Sequence, residues 1–263
     1  MSTSHIYWIN IDERVDRRTH MTDIFAKYCW QNTRIPAVVP STMSSDIDIL
    51  YASNTPNETN LRIHLPSIAC IGSHIKAAQV AQADMSDMSK SNKLEHVIIM
   101  EDDIIPLFDI DFSKIVETAP TDWDILKLHT SNKAVINSNL TKFYDFSSLW
   151  SEWVIDDWST VAYVLNRKTV NVIAAHMDTT TTNSTLDLRP YKTLVADVVL
   201  YQNRRTYSLN VPIFKTRIDL GSDIKPQDVP YAHVPANLTI DQHMPRLEAV
   251  HRKFIADRKN QKN

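Results

Sequence analysis

The sequence predicts an α/β fold with a mostly parallel sheet flanked by helices in a single domain. Three observations carry this. Short, nearly uninterrupted apolar runs, Ile6-Tyr7-Trp8-Ile9-Asn10-Ile11 and Val97-Ile98-Ile99-Met100, read as strands buried on both faces. Segments with apolar residues at helical spacing alternate with such runs. The 263 residues, 43% hydrophobic and 22% charged, show no internal repeat and no sharp change of composition.

In order, residues 6–11 are the first strand, followed by a charged turn, 12–18. Met21, Ile24, Phe25 and Tyr28 recur at helical spacing, and residues 34–39 read as a second strand, giving a β-α-β start. Residues 40–66 are rich in Ser, Thr, Asn and Pro and read as a long loop. Ser67 then caps a helix with the stripe Ile68, Ile71, Ile75, Ala78 and Met85. Residues 96–100 form a strand that runs straight into Glu101-Asp102-Asp103. Further on, residues 124–128 and 160–165 read as strands, 168–176 and 194–201 as helices, and 208–214 as extended. The aromatic stretch 143–153 also reads as extended, and 179–185 as a low-complexity loop. Residues 1–244 make the domain. Residues 245–263 form a basic amphipathic helix starting at Pro245, with Leu247, Val250, Phe254 and Ile255 on one face.

Composition excludes several functions. A net charge of -3 gives no sign of a nucleic-acid groove. Cys29 and Cys70 cannot build a disulfide framework, which points to a reducing compartment. No leader or membrane-spanning run is apparent, so a cytoplasmic location is expected. The Asn-x-Ser/Thr triplets at Asn57, Asn139, Asn183 and Asn237 then read as chance. Glycine occurs only at Gly72 and Gly221, so a Gly-rich dinucleotide fingerprint and a P-loop are both excluded. A bound nucleotide would need another hold on its phosphates, and a divalent cation on carboxylates is the obvious one.

In open α/β sheets, ligands bind beyond the carboxyl ends of the strands. Glu101-Asp102-Asp103 leaves one strand there, and residues 10–18 leave another. Three adjacent carboxylates repel one another unless a cation lies among them. A hard ion such as Mn2+ or Mg2+ accepts carboxylate oxygens together with substrate phosphates. The plain alternative is a solvated acidic turn. Asp122-Trp123-Asp124 precedes its strand and lies at the wrong end of the sheet. The segment 12–18 mixes three arginines, Arg14, Arg17 and Arg18, with three acids. One of the arginines and Asn10 suit contacts to a base, ribose or phosphate, or else the segment is a helix start decorated with salt bridges. His74 on the second helix reads as a packed or capping residue more readily than as a ligand. No pair of histidines has metal spacing, and no H-E-x-x-H occurs, which counts against a zinc hydrolase.

Taken in order, these motifs resemble glycosyltransferase family 25, the group of bacterial lipooligosaccharide galactosyltransferases and collagen galactosyltransferases. The family's opening strand and arginines match residues 6–12, Arg14 and Asp16-Arg17-Arg18. Its Gly-Cys-x-x-Ser-His helix start matches Cys70, Ser73 and His74, with Ala69 in place of the first Gly. Its strand ending in Glu-Asp-Asp matches residues 97–103, and its Trp-Asp segment matches Trp123-Asp124 with Leu128. Ala162-Tyr163-Val164-Leu165, a helical acid at Asp197, Pro212 and Ser222-Asp223-Ile224 close the series. The likeness spans roughly residues 5–224 and skips 40–66, 130–150 and 176–190, where acceptor specificity would reside.

The resemblance implies a GT-A-like, Rossmann-like sandwich and an inverting, metal-dependent transfer of galactose or glucose from a UDP-sugar. The acceptor would be a glycan, glycolipid or glycoprotein hydroxyl. It implies metal ligation by Asp103 and Glu101, and nucleotide-sugar contacts from Asn10, Arg14, Arg17, Ser73, His74 and Asp102. Inversion needs one carboxylate to take the acceptor proton. Asp197 is the first candidate, followed by Asp156 and Asp157 beside Trp153 and Trp158. The basic C-terminal helix could touch an anionic membrane surface where lipid-linked acceptors reside, or be a solvated end. Other readings are an inactive carbohydrate-binding protein on the same fold, or a metal-dependent phosphohydrolase.

Overall fold

A computed structural model describes residues 4–50, 65–87, 94–178, 184–191, 193–224, 226 and 229–260. Strand β1 (Ile6–Asn10) is buried throughout, as its uninterrupted apolar run requires. Helix α1 (Val15–Tyr28) follows and ends on Cys29 in the left-handed region. It leads to β2 (Asn32–Pro36), which pairs parallel to β1. The chain then forms α2 (Pro40–Asp46) and β3 (Ile47–Leu50), where composition suggested only loop. The rest of that stretch, 51–64, lies outside the described residues. Helix α3 (Leu65–Ser86) begins two residues before the expected Ser67 cap, and Ser67 is buried inside its first turn.

Strand β4 (His96–Glu101) returns parallel to β1 on the side away from β2. β5 (Ile104–Pro106), α4 (Phe112–Glu117), β6 (Ile125–Lys127) and α5 (Lys133–Phe146) follow. Next come β7 (Trp150–Glu152), β8 (Ala162–Asn166), α6 (Arg167–Ala174), β9 (Met177–Asp178) and β10 (Ser184–Asp187). The chain closes with α7 (Ala196–Tyr201), β11 (Thr206–Leu209), β12 (Phe214–Thr216) and α8 (Val234–Asn260).

The main sheet has seven strands in the order β2-β1-β4-β8-β6-β11-β7. Five run one way. β8 is antiparallel to both β4 and β6, and β7 is antiparallel to β11, so the sheet is mostly parallel with two reversed strands. Alternate residues feed two cores. Tyr7, Ile9, Val97 and Ile99 pack with α3, α6 and α7 on one face, while Ile6, Trp8, Ile98 and Met100 pack with α1 and α4 on the other. A third cluster joins Ile136 and Leu140 of α5 to Ala236, Ile240 and Leu247 of α8.

Several expectations shift. Residues 143–146 are the end of α5, not extended chain; Asn132 caps the helix by accepting from the amides of Ala134 and Val135. Only Trp150–Glu152 of that stretch is strand. Residues 208–214 divide between β11 and β12. Helix α8 starts at Val234 and carries Pro245 inside it, so the boundary expected at 244/245 falls within a continuous helix. Of the expected loop at 179–185, residues 179–183 lie outside the described residues, and Ser184 and Thr185 belong to β10. Asn139 and Asn237 are buried on helices, which removes both as glycan acceptors in the folded state. Both cysteines are free thiols.

The topology fixes where a ligand belongs. From β1 the chain moves to β2 on one side, then crosses back through α3 to β4 on the other. α1 and α3 therefore cover opposite faces, and the switch point lies between β1 and β4. The crevice outside their carboxyl ends is the expected binding place. Asn10 and Glu101 stand at those two ends.

Candidate functional site

A cleft opens at that switch point. Its walls are the end of β1, the turn after β2, one face of α3, the residues after β4 and the loop Ser222-Asp223-Ile224. The carboxylates at its base have distinct environments although they are adjacent in sequence.

Asp102 is buried and fully engaged. Asn10 Nδ2 donates to its Oδ2 at 2.7 Å, and Arg17 donates to its Oδ1 at 2.6 Å. Burial pushes its pKa up, against the pull of Arg17. Asn10 also donates to the Arg14 carbonyl and accepts from Arg34 Nε, so its capacity is spent on the protein. Arg17 further bonds the carbonyl of Gly221, and Arg14 bonds Asp223, Asp16 and the carbonyl of Leu220. Gly221 has a φ of 71°, a left-handed conformation that glycine adopts without strain. The two arginines therefore clamp the 220–223 loop over the cleft.

Asp103 differs. Its Oδ1 is buried without a hydrogen-bond partner, and Arg17 stands 3.8 Å from its other oxygen. Burial, and then the neighbouring Glu101, push its carboxyl up to about 7. Glu101 accepts from Thr160 Oγ1 at 2.6 Å and faces His74 Nε2 at 3.4 Å. Burial raises Glu101, but His74, Thr160 and Arg17 outweigh it and hold the carboxyl below its ordinary value.

On α3, Ser73 bridges the helix to the turn after β2. Its hydroxyl donates to the Ala69 carbonyl and accepts from the Val38 amide, so where Ser73 lines the cleft its hydroxyl is already engaged by the protein. His74 is 1% exposed, and its Nδ1 lies 2.9 Å from the Tyr163 hydroxyl. Cys70, one turn earlier on the same face, lines the cleft with it.

Asp197 sits in the first turn of α7 and accepts from the Ser159 amide at 2.6 Å. Burial raises its pKa; Lys127 opposes this, and the Glu101 charge adds to the rise. Ser159 carries a φ of 128°, a strained value for a non-glycine residue. Its hydroxyl pairs with His129 Nδ1, and its carbonyl accepts from Tyr201. Asp157 is placed elsewhere: it is buried in an ion pair with Lys127 at 2.5 Å and accepts from Ser208 on its second oxygen. Each oxygen already holds a donor and the side chain is 1% exposed, which keeps a substrate hydroxyl from it. Asp156 is exposed, and Trp158 beside it is 46% exposed.

The structure thus gathers Asn10, Arg17, Ser73, His74 and Glu101-Asp102-Asp103 in the lining of one cleft, while Arg14 acts on it only through Asp223 and the Leu220 carbonyl. Asp197 is outside the cleft lining, held on the Ser159 amide where the charges of both Glu101 and Asp157 act on it, and Asp156 and Asp157 do not line the cleft either. Sequence reasoning left Cys70 without a place in the cleft, Thr160 and Tyr163 without their partners, and Lys127 as an ordinary strand residue. Only Cys70 left a signal, its four-residue spacing to His74.

This arrangement defines an α/β protein of the open-sheet class with a cleft at the carboxyl edge of the sheet. The family model described as glycosyltransferase family 25 (LPS biosynthesis protein) matches residues 3–187. The chain belongs to glycosyltransferase family 25, and its substrates are a sugar donor and an acceptor. Among solved structures, A197 from STIV is similar at 12% identity and a TM-score of 0.40, over 81% of this chain and 83% of that one. A glycosyltransferase involved in the glycosylation of the major capsid of PBCV-1 is similar at 8% identity and a TM-score of 0.35, over 65% and 63%. No curated protein matches the sequence. Among the described residues, no helix is long and apolar enough to cross a membrane.

Proposed function

We propose that the protein is an inverting glycosyltransferase that moves a hexose, galactose or glucose, from a UDP-sugar to an acceptor hydroxyl with the help of Mn2+ or Mg2+. Asp103 carries the reading: a buried carboxylate oxygen with no hydrogen-bond partner, crowded by Glu101 at the switch point of the sheet. Oxygen donors under mutual repulsion fit a hard divalent cation, and Asp103 with Glu101 would hold it. When bound, such an ion neutralises charge on the departing diphosphate.

The chain's own residues do the rest. Asp102 and Asn10 fix Arg17, which keeps one positive charge at the base of the cleft. Arg14 and Arg17 hold the 220–223 loop against it. Asp197 takes the proton of the attacking hydroxyl. The Ser159 amide orients it, and burial raises its basicity toward the range a general base needs. The acceptor is a glycan, glycolipid or glycoprotein.

A donor screen by UDP release, with and without Mn2+, tests this. Release from one UDP-hexose that stops in chelator supports the proposal. Release from no UDP-sugar, or at equal rates in chelator, contradicts it.

A further inference from the structure

We propose that Cys70, His74 and Glu101 form a second metal site in the cleft, suited to a borderline-soft divalent cation such as zinc. It shares Glu101 with the donor site proposed above and rests on that cleft, but Asp103 is outside its ligand set. One candidate ligand atom from each of the three residues lies within 4.8 Å of the other two, the one such group among the described residues.

Cys70 and His74 are four residues apart on α3 and so share a face. Glu101 closes the set from the end of β4. The separation of His74 Nε2 from Glu101 Oε1 is 3.4 Å. That is long for a hydrogen bond, yet two ligands at about 2.0–2.1 Å from a tetrahedral ion stand roughly 3.4 Å apart. His74 is 1% exposed, and Nε2 has no hydrogen-bond partner. Its other nitrogen meets the Tyr163 hydroxyl at 2.9 Å, the outer-shell contact that orients a metal-bound imidazole. With the proton on Nδ1, a bare nitrogen lone pair faces a carboxylate oxygen, and a cation between them resolves the repulsion. A proton on Nε2 is the competing occupant. Thr160 steadies Glu101 at 2.6 Å.

The donor set decides the kind of metal. Sulfur, imidazole nitrogen and one carboxylate oxygen favour zinc or cobalt, whereas Mn2+ and Mg2+ prefer oxygen. Three protein ligands leave a fourth position, and all three residues line the cleft, so that position faces the ligand space.

The test is titration of the chelator-treated, full-length protein with Co2+, read by the thiolate-to-cobalt charge-transfer band, followed by displacement with Zn2+. One equivalent should give the band in the wild type and in Cys29→Ser. Cys70→Ser should abolish it. His74→Gln should weaken binding at least as much as Tyr163→Phe, which should cost about 10–100-fold. Circular dichroism verifies the fold of each variant. Asp103→Asn should keep the band while losing Mn2+-dependent transfer, so the two proposals fail separately. No thiolate band in the wild type, or a band that survives in folded Cys70→Ser, overturns the second site.

Discussion

Breaking the Lys127–Asp157 pair separates two carboxylates that the sequence alone leaves as rivals for the catalytic base. The side chains are 0% and 1% exposed. The ammonium donates to Asp157 at 2.5 Å, to the His129 carbonyl at 2.7 Å and to the Trp158 carbonyl at 3.0 Å, which uses all three protons. Lys127→Met strands a buried carboxylate with Ser208 as its one remaining donor. Removing one partner of a buried pair costs about 3–5 kcal/mol. At about 2–4 °C per kcal/mol for a chain near this size, Tm should fall by roughly 6–20 °C. Asp157→Asn should also destabilise. The double variant Lys127→Met/Asp157→Leu should lose less than the sum of the corresponding singles, because the charges no longer depend on each other. Thermal melts measure this, and turnover of the folded fraction completes it. Asp157→Asn should keep kcat within a few-fold, whereas Asp197→Asn should lose about 10²–10⁴-fold, the worth of a general base. An Asp157→Asn protein with wild-type Tm and no turnover would refute the reasoning.

Burial, with Lys127 and His233 adding, pushes His129 from 6.5 down to about 3. Below pH 6.5 the unfolded chain binds a proton that the native state refuses, so this contribution is complete above about 6.5 and is lost as pH falls toward 3. His129→Gln should flatten the fall of Tm over that window, and an unchanged slope would count against it. At Ser159, whose φ is 128°, glycine should be tolerated better than alanine by about 1–3 kcal/mol in denaturant melts, the reverse of the usual order. Equal stabilities would remove the strain argument. On the C-terminal helix, replacing Arg252, Lys253, Arg258 and Lys259 by Gln should reduce sedimentation with anionic liposomes; equal sedimentation would leave that helix a solvated end. Truncation at Pro245 is the poorer test, because it removes Leu247 from the core it shares with Ile136 and Leu140.

What was legible in the sequence was local. The apolar runs of β1 and β4 announce strands buried on both faces, and the acids directly after Met100 mark the carboxyl edge. Strand direction was not legible: nothing in Ala162-Tyr163-Val164-Leu165 says that β8 runs against β4. The aromatic density of 143–146 mimics a strand, and packing of α5 against α8 overrides it. Pro245 looked like a helix start because its missing donor suits one, yet it lies mid-helix and exposed. Partners far apart in sequence were hidden as well. Asn10 meets Asp102 across 92 residues, and Arg17 meets Gly221 across 204. These contacts turn residues expected to touch the nucleotide into the frame of the cleft. They also single out Asp103 from its two acidic neighbours.

The most direct test of the account is therefore Asp103→Asn, assayed by calorimetric UDP binding with and without Mn2+ and by sugar transfer, beside a melt. The account predicts a folded protein whose Mn2+-dependent gain in UDP affinity is gone and whose transfer falls by at least about a hundredfold. A folded Asp103→Asn variant with wild-type transfer and Mn2+-dependent UDP binding would contradict it.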